Sequence, residues 1–448
     1  MPVEFERTDS TVLIQERYGS GNRVHCFSVL DSGLGYVKVQ KLPNPSNKSL
    51  DALEFLKDLF LPQGYPDSVT DDYLDYQIFD TLQAFASSIL GTLSAQAVLS
   101  GVGVGDATAT VAGATITWLL KDGTGMVGRI VFAWARGTQL DSDSKRWRLF
   151  ADVLNDVSFF VDLLAPHFKP IVTPLMCVSC LFRSIVGVAG GATRAALTQH
   201  QAIRNNLADV SAKDGSQETL VNLSALICSL IVVPVITGKP LLIWLLFITL
   251  TAVHLWANYK AVRSLRMNTF NRARFHEVVT QFLQDGSILS VREANARESL
   301  IPRPSRKISE PHLDFGCSLS TVLAECSAID MGRWLQLYSA KAFLIKLAYL
   351  HFSTVRICVV LKEGADVLDM LEAAYSAELF RLELQSFGPS KKLTVDSEIR
   401  LHRRVFSTVD AAFHNFVKGL ESSGWNTTFC LLGFDEWRLA TSPLKQTR

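Results

Sequence analysis

From Thr219 to Gly238 the chain reads TLVNLSALICSLIVVPVITG, with no Asp, Glu, Lys or Arg. After Lys239 a second run, PLLIWLLFITLTAVHLWANY, continues uncharged from Pro240 to Tyr259. About 20 predominantly apolar residues, at ~1.5 Å each in a helix, cross a hydrocarbon layer ~30 Å thick. Two such runs back to back predict a helical hairpin in a bilayer; the alternative is a hairpin buried in a very large soluble core. Ser216 reads as the N-cap of the first helix, with Gln217 and Glu218 in its first turn. Trp244, Trp256 and Tyr259 stand near the ends, where interfacial aromatics belong.

Three further apolar stretches are less clean. Leu99–Leu120 carries Asp106, Leu149–Pro166 carries Asp152, Asn155 and Asp156, and Pro170–Thr193 carries Arg183. Basic residues cluster at 121–148 and again at 260–274, where Lys260, Arg263, Arg266, Arg272 and Arg274 stand without an acid. If basic segments stay cytoplasmic, five spans alternate and leave the C-terminus inside. Charged residues make up 19% of the chain, against an ordinary share of about 25%, as a bilayer or a very large core requires. The net charge of +1 says little about partners, and no basic tract points to nucleic acid, so no nucleic-acid partner is expected. The opening residues, MPVEFERTDS, read as neither a secretory signal nor a transit peptide.

The remaining sequence is more conventional. Residues 1–50 alternate in short stretches and predict a few edge strands. Helical patterning runs from about Asp72 to Leu99. Residues 286–312, with three prolines, read as a linker. Beyond them RWLQLYS and VRICVVL predict strands, 365–385 and 397–422 predict helices, and TTFCLLGF with EWRLA predicts a last strand pair. The fold class expected is therefore mainly α: a multi-helix integral membrane bundle followed by a small α+β cytoplasmic domain. Its parts are a strand-rich segment at 1–53, the helical core at 54–280, a linker at 281–312 and the C-terminal domain at 313–448.

Within KDGTGMVGRIVF at 121–132, Gly123, Gly125 and Gly128 fall on G-x-G-x-x-G, the spacing of a dinucleotide-binding loop. Such a loop needs a strand before it, a helix after it and a second strand ending in an acid. Here an apolar run long enough to span precedes it, and no strand with a terminal acid follows. The glycines are expected instead to turn the chain at the bilayer surface. Cys177 and Cys180 form C-x-x-C inside an apolar run without a second pair and read as small packing residues. No zinc spacing, phosphate loop or nucleophile motif is present, so no metal, cofactor or catalytic activity is expected.

Two clusters could carry function. Asp152, Asn155 and Asp156 lie at i, i+3, i+4, on one helical face, with Arg183 on the next span to face them and Asp106 on another. A mid-bilayer charge costs at least ~2.5–3.5 kcal/mol, so these residues either pair to fix packing or line a polar path. The second cluster holds Arg194, His200, Arg204, Asn205, Asp209 and Lys213. It reads either as an anion site beside a helix N-terminus or as a solvated helix with i,i+4 pairs.

Several blocks together resemble the root UV-B sensitive (RUS) family, specifically its animal members: LPQGYPDSV at 61–69, DTLQAFASS at 80–88, TWLLKDGTGMVGRIVFAW at 117–134 and WRLFADVLNDV at 147–157. To these add VAGGATRAALTQHQAIRNNLADVSAKDGSQETLVNL at 188–223 and DEWR at 435–438. The resemblance implies a membrane-associated protein, linked in plants to seedling UV-B response and vitamin B6 balance. It brings no reaction and no catalytic residues. The expected function is a non-catalytic membrane scaffold whose C-terminal domain engages a protein partner or a family homologue. The alternative is a small-molecule or ion carrier using Asp106, Asp152, Asp156 and Arg183.

Overall fold

The structure is a computed structural model describing residues 7–8, 11–17, 24–31, 37–41, 55, 57–103, 110–301, 311–323, 328–349, 355–386 and 393–440. Two compact units divide it: Met1–Phe132 with Arg148–Leu265, and Ala133–Trp147 with Arg266–Arg448.

The first unit opens with an antiparallel sheet of β1 (Arg7–Thr8), β2 (Thr11–Arg17), β3 (Val24–Asp31) and β4 (Val37–Lys41), paired in chain order. Its register sets Ile14 against Phe27 and Val29 against Val39, matching the strands expected there. Long helices follow: α1 (Tyr73–Gly101), α2 (Val111–Arg136), α3 (Ser144–Leu164), α4 (Val172–Gln201), α5 (Leu207–Ile236) and α6 (Pro240–Ser264). Pro240 occupies the first position of α6, where its missing N–H is no loss. Helix α1 packs along α6 and α5, with Leu90, Leu93, Phe159, Leu163, Ile236 and Phe247 in one apolar cluster.

Among the described residues, four helices are long and apolar enough to cross a membrane: Tyr73–Gly101, Lys169–Gln201, Leu207–Ile236 and Pro240–Ser264. This revises the five-span expectation. Leu149–Pro166 is not among them and Tyr73–Gly101 is, while Leu99–Leu120 includes residues 104–109, which lie outside the described residues. The helix over 111–136 carries Lys121, Asp122 and Arg129 in its midst, and α3 carries three aspartates, so neither presents a long uncharged window.

Two local readings are corrected. Ser216 is not an N-cap: α5 begins nine residues earlier, and the Ser216 hydroxyl donates to the Ala212 carbonyl within the helix (3.0 Å). Nothing between Leu207 and Glu218 breaks a helix; Gly215 only weakens one. Nor do the glycines of KDGTGMVGRIVF form a turn, for they lie inside α2. A Cβ added at Gly125 would sit 2.8 Å from Cys180 Sγ and Ser184 Oγ of α4, and one at Gly128 would collide with Leu181. They are the close-approach face of a helix pair. Gly123, Gly125 and Gly128 thus lie within one helix rather than between a strand and a helix N-terminus, and Cys180 packs against Gly125.

The second unit holds α7 (Arg272–Asp285), α8 (Val291–Arg297), β5 (His312–Phe315), α9 (Leu319–Leu323), α10 (Ala328–Leu337), β6 (Phe343–Tyr349), β7 (Val355–Lys362), α11 (Val367–Ser386), α12 (Val395–Ser422) and β8 (Arg438–Leu439). Strand β7 is central: β6 pairs with it antiparallel, and β5 and β8 pair with it parallel. Helix α11 covers the sheet and packs against α12, giving the small sheet with two helices that was expected.

Three details differ. RWLQLYS is helical through Leu337, because Trp334 and Tyr338, four apart, both turn into the core and stack at 5.2 Å between ring centroids. TTFCLLGF forms no strand, only an isolated bridge from Cys430 to Phe270. The expected linker folds over 291–297 as α8, started by a capping box in which Ser290 and Glu293 satisfy each other's backbone N–H groups.

Candidate functional site

Along α1 and the turn before it, polar side chains recur at helical spacing: Asp72, Tyr76, Asp80, Gln83, Ser87 and Ser94. From Asp72 to Ser94 is roughly 33 Å at 1.5 Å per residue, close to the ~30 Å of a hydrocarbon core. Each of these groups meets a polar partner on another helix or a neighbour in the same stripe.

At the Ser94 level, Arg183 of α4 forms an ion pair with Asp162 of α3, whose side chain is fully buried. Ser94 donates to Asp162 (2.5 Å), and Arg183 donates to Ser158 (3.1 Å), Ser179 (3.1 Å) and Ser94 (3.2 Å). Arg183 was expected to face Asp152 or Asp156, and it does not. Helical side chains lean toward their own N-terminus. In the α3–α4 hairpin, Arg183 therefore leans toward the turn and reaches Asp162, whereas Asp152 and Asp156 lean away from it.

At the Gln83 level, His254 of α6 is fully buried, with Nδ1 2.8 Å from Asp156 Oδ2 and Nε2 3.0 Å from Gln83 Oε1. The Gln83 amide is oriented by its donation to Asp80 (3.1 Å), which in turn accepts from Arg148 (3.0 Å). Both imidazole nitrogens thus face oxygens, and both contacts are made only when the His254–Asp156 pair holds a proton beyond that of a neutral ring and an ionised carboxylate; losing it must break or turn one contact. Asp156 Oδ1 and Asp162 Oδ1 are buried and have no hydrogen-bond partner among the described residues.

Asp152 accepts from Asn258 and lies 3.5 Å from Arg148; Asn155 donates to Ser87 (3.2 Å). Asp106 lies outside the described residues. Of the second predicted cluster, Arg194 is joined to Asp214 (2.6 Å) and to Glu218, and His200 to buried Asp72 (3.0 Å). Asp209 accepts from the Gln63 N–H (2.7 Å) and Lys213 donates to the Asp58 carbonyl (2.5 Å), not to each other. Arg204 and Asn205 lie in a loop, Asn205 with φ +55°, because the helix expected through 193–218 breaks between Gln201 and Leu207. Arg204 lies 3.9 Å from Asp67. The structure therefore buries Asp156, half-buries Asp152, Asn155, Arg183 and Arg194, and leaves Arg204 exposed.

A cavity of about 70 Å³ lies within this interior, lined by Tyr76, Asp80, Gln83, Arg148, Arg194 and Asp214 among others. It has room for a few waters and no organic molecule. A larger cavity, about 710 Å³, belongs to the second unit, but its arginines are already engaged: Arg272 with the Leu432 and Gly433 carbonyls and Arg381 with Glu378.

The outer surface of the first unit reverses this pattern. On α2 Leu119, Met126, Val127, Ile130 and Trp134 are exposed, while the buried residues are Lys121, Gly125 and Gly128. Lys121 covers the Trp118 ring at 4.2 Å. On α3 Phe150, Val153, Val157 and Phe160 face out, while Asp156, Ser158 and Asp162 face in. Sequence reasoning missed Asp80, Gln83, Ser94, Asp162 and His254. The i, i+4, i+7 recurrence of polar residues from Tyr76 to Ser94 is the signal that could have found the first three.

Residues 46–286 match a family described as the vitamin B6 photo-protection and homoeostasis domain, and residues 287–441 match the root UVB sensitive protein, C-terminal, family. The chain is 43% identical over 318 residues to RUS family member 1 of Dictyostelium discoideum, covering 67% of this chain but 60% of that protein. It is 36% identical over 382 residues to protein root UVB sensitive 3 of Arabidopsis thaliana, covering 85% of this chain and 84% of that one. Protein root UVB sensitive 5 of Arabidopsis is 26% identical over 445 residues, covering 95% of this chain and 86% of that one. No solved structure matches.

Proposed function

Because the chain belongs to the root UVB sensitive family, we propose that it is an integral membrane carrier that moves a small polar solute through the helical unit. The supporting observation is the inverted partition of that unit, with apolar side chains outside and a ladder of charged and polar ones within, of roughly bilayer length. Lipid would solvate the outer face. Inside, groups that are costly to bury are kept at several successive levels. A scaffold leaves them without a task. The His254–Asp156–Gln83 junction is the coupling element: gain or loss of one proton rearranges its contacts, which gives a carrier two states to alternate between. The 70 Å³ cavity makes the state described here a closed one.

The family description points to vitamin B6 homoeostasis, so B6 vitamers are the first solutes to test. Proteoliposomes carrying the purified protein are expected to take up a labelled B6 vitamer faster under an imposed pH gradient. His254→Gln and Asp156→Asn are expected to remove that dependence. Equal uptake by protein-free vesicles, with correctly folded protein in the bilayer, would overturn the reading in favour of the scaffold. Retention in the membrane after alkaline carbonate washing is the simpler prior check; release of intact protein would sink both.

A further inference from the structure

We propose that Asp314, Cys317 and Cys358 of the second unit form a binding site for a thiophilic divalent cation of the zinc class. One carboxylate oxygen and the two sulfurs lie within 4.8 Å of one another, close enough for a tetrahedral ion, with metal–sulfur distances near ~2.3 Å and metal–oxygen distances near ~2.1 Å, to draw them to the roughly 3.7 Å ligand separation it needs.

The backbone fixes all three. Strands β5 and β7 pair in parallel with Asp314 directly opposite Cys358. After Phe315 the chain turns at Gly316, with φ +73°, where any Cβ would land on the Asp435 backbone. That turn returns Cys317 to the sheet, and its N–H donates to the Val359 carbonyl (2.9 Å). The Cys317 sulfur is left beside Cys358, the one fully buried member of the set. A site whose ligands come from a strand, a tight turn and a central strand is preorganised without side-chain rearrangement.

A neighbouring histidine and a charge balance are also present. His312, two residues before Asp314 on the same face of β5, has Nε2 3.8 Å from Asp314 Oδ1. Arg356 Nε lies 3.0 Å from the other carboxylate oxygen, Oδ2. Two thiolates, one carboxylate, one guanidinium and a divalent ion sum to zero charge. The arginine then does what groups around metal ligands commonly do, orienting a ligating carboxylate from its far side. The competing chemistry for two neighbouring thiols is a disulfide, which would use neither Asp314 nor His312. Zinc binding releases the thiol protons and changes no oxidation state, so it needs no oxidant.

The test is zinc content and thiol protection in the full-length protein under a phosphine reductant. Purified protein equilibrated with zinc and then freed of excess is expected to retain one equivalent. Cys317→Ser and Cys358→Ser are each expected to lose it, and Cys430→Ser to keep it. Cobalt in place of zinc is expected to give thiolate-to-metal charge-transfer absorption. In the unmodified protein, zinc is expected to slow alkylation of Cys317 at least tenfold, a readout that does not depend on any variant folding. Unchanged alkylation with zinc, zinc retained by both cysteine variants, or a Cys317–Cys358 disulfide with no bound metal would overturn the proposal.

Discussion

Removing the Arg183 guanidinium strands the buried Asp162 carboxylate with only Ser94 to hold it. Breaking one side of a buried pair costs ~3–5 kcal/mol, while replacing both sides with apolar groups is often neutral. Arg183→Met is therefore expected to lower the melting temperature in detergent sharply, and Arg183→Met with Asp162→Leu to recover part of the loss. Pairing Arg183→Met with Asp152→Leu is expected to recover nothing; a rescue there would refute the assigned partner. Glu298 supplies a second residue-scale test, in the other unit. Burial alone would raise its pKa, but Arg274 at 2.9 Å and Lys145 at 3.2 Å outweigh burial and hold it at about 2, against its ordinary 4.5. A depressed carboxylate pKa stabilises the fold fully above 4.5, and the contribution, on the order of 3 kcal/mol, disappears as pH falls toward 2. Acid unfolding of the second unit, followed by near-UV circular dichroism, is expected to begin in that window. Glu298→Gln should be less stable at neutral pH and lose this acid step; an unchanged acid profile would remove Glu298 from the account.

Helices were legible wherever their apolar residues ran uninterrupted, and misread where one residue type serves two purposes. The three glycines of α2 match a phosphate-loop spacing and a helix-packing face equally well, and only the neighbour decides. Here the neighbour is α4, which Gly125 and Gly128 approach closely while Gly123 faces open space. Gly125→Leu is accordingly expected to cost about 1–3 kcal/mol through overpacking. Gly123→Ala is expected to gain up to ~1 kcal/mol from helix propensity. Thermal unfolding of the two variants checks the pair, and equal effects would contradict the packing assignment. The same ambiguity hid the polar stripe of α1. Its residues are individually ordinary, and it was read for its apolar content rather than for the period of Tyr76, Asp80, Gln83 and Ser87. In RWLQLYS the error ran the other way: β-prone residues suggested a strand, while Trp334 and Tyr338 sit four apart on one buried helical face.

At the scale of the whole molecule, what sequence could not reveal is which distant segments share a core. Lys145, in the short segment Ala133–Trp147 that belongs to the second unit, has its amine buried against Asn295 and Glu298, 150 and 153 residues onward. Asp314 and Cys317 are separated from Cys358 by two helices and a strand, so no ligand spacing appears along the chain. Sidedness, in contrast, is written in local charge and can be argued directly. Lys260, Arg263, Arg266, Arg272 and Arg274 follow the last apolar helix with no acid among them. Retention of such a segment on the cytoplasmic side acts on the emerging chain, before Arg274 is buried against Glu298, so later neutralisation does not weaken it. If the hairpin crosses, the C-terminal unit is expected on that same side and the Gly238–Lys239 connection between α5 and α6 on the opposite one. An acceptor site for N-glycosylation placed in an extended loop at Gly238 is therefore expected to be modified in microsomes, and one added after Arg448 to remain bare. The reverse pattern would invert the bundle and with it the direction in which a proton gradient meets His254. Modification at neither position, with the protein released by carbonate, would mean that the hairpin does not cross at all.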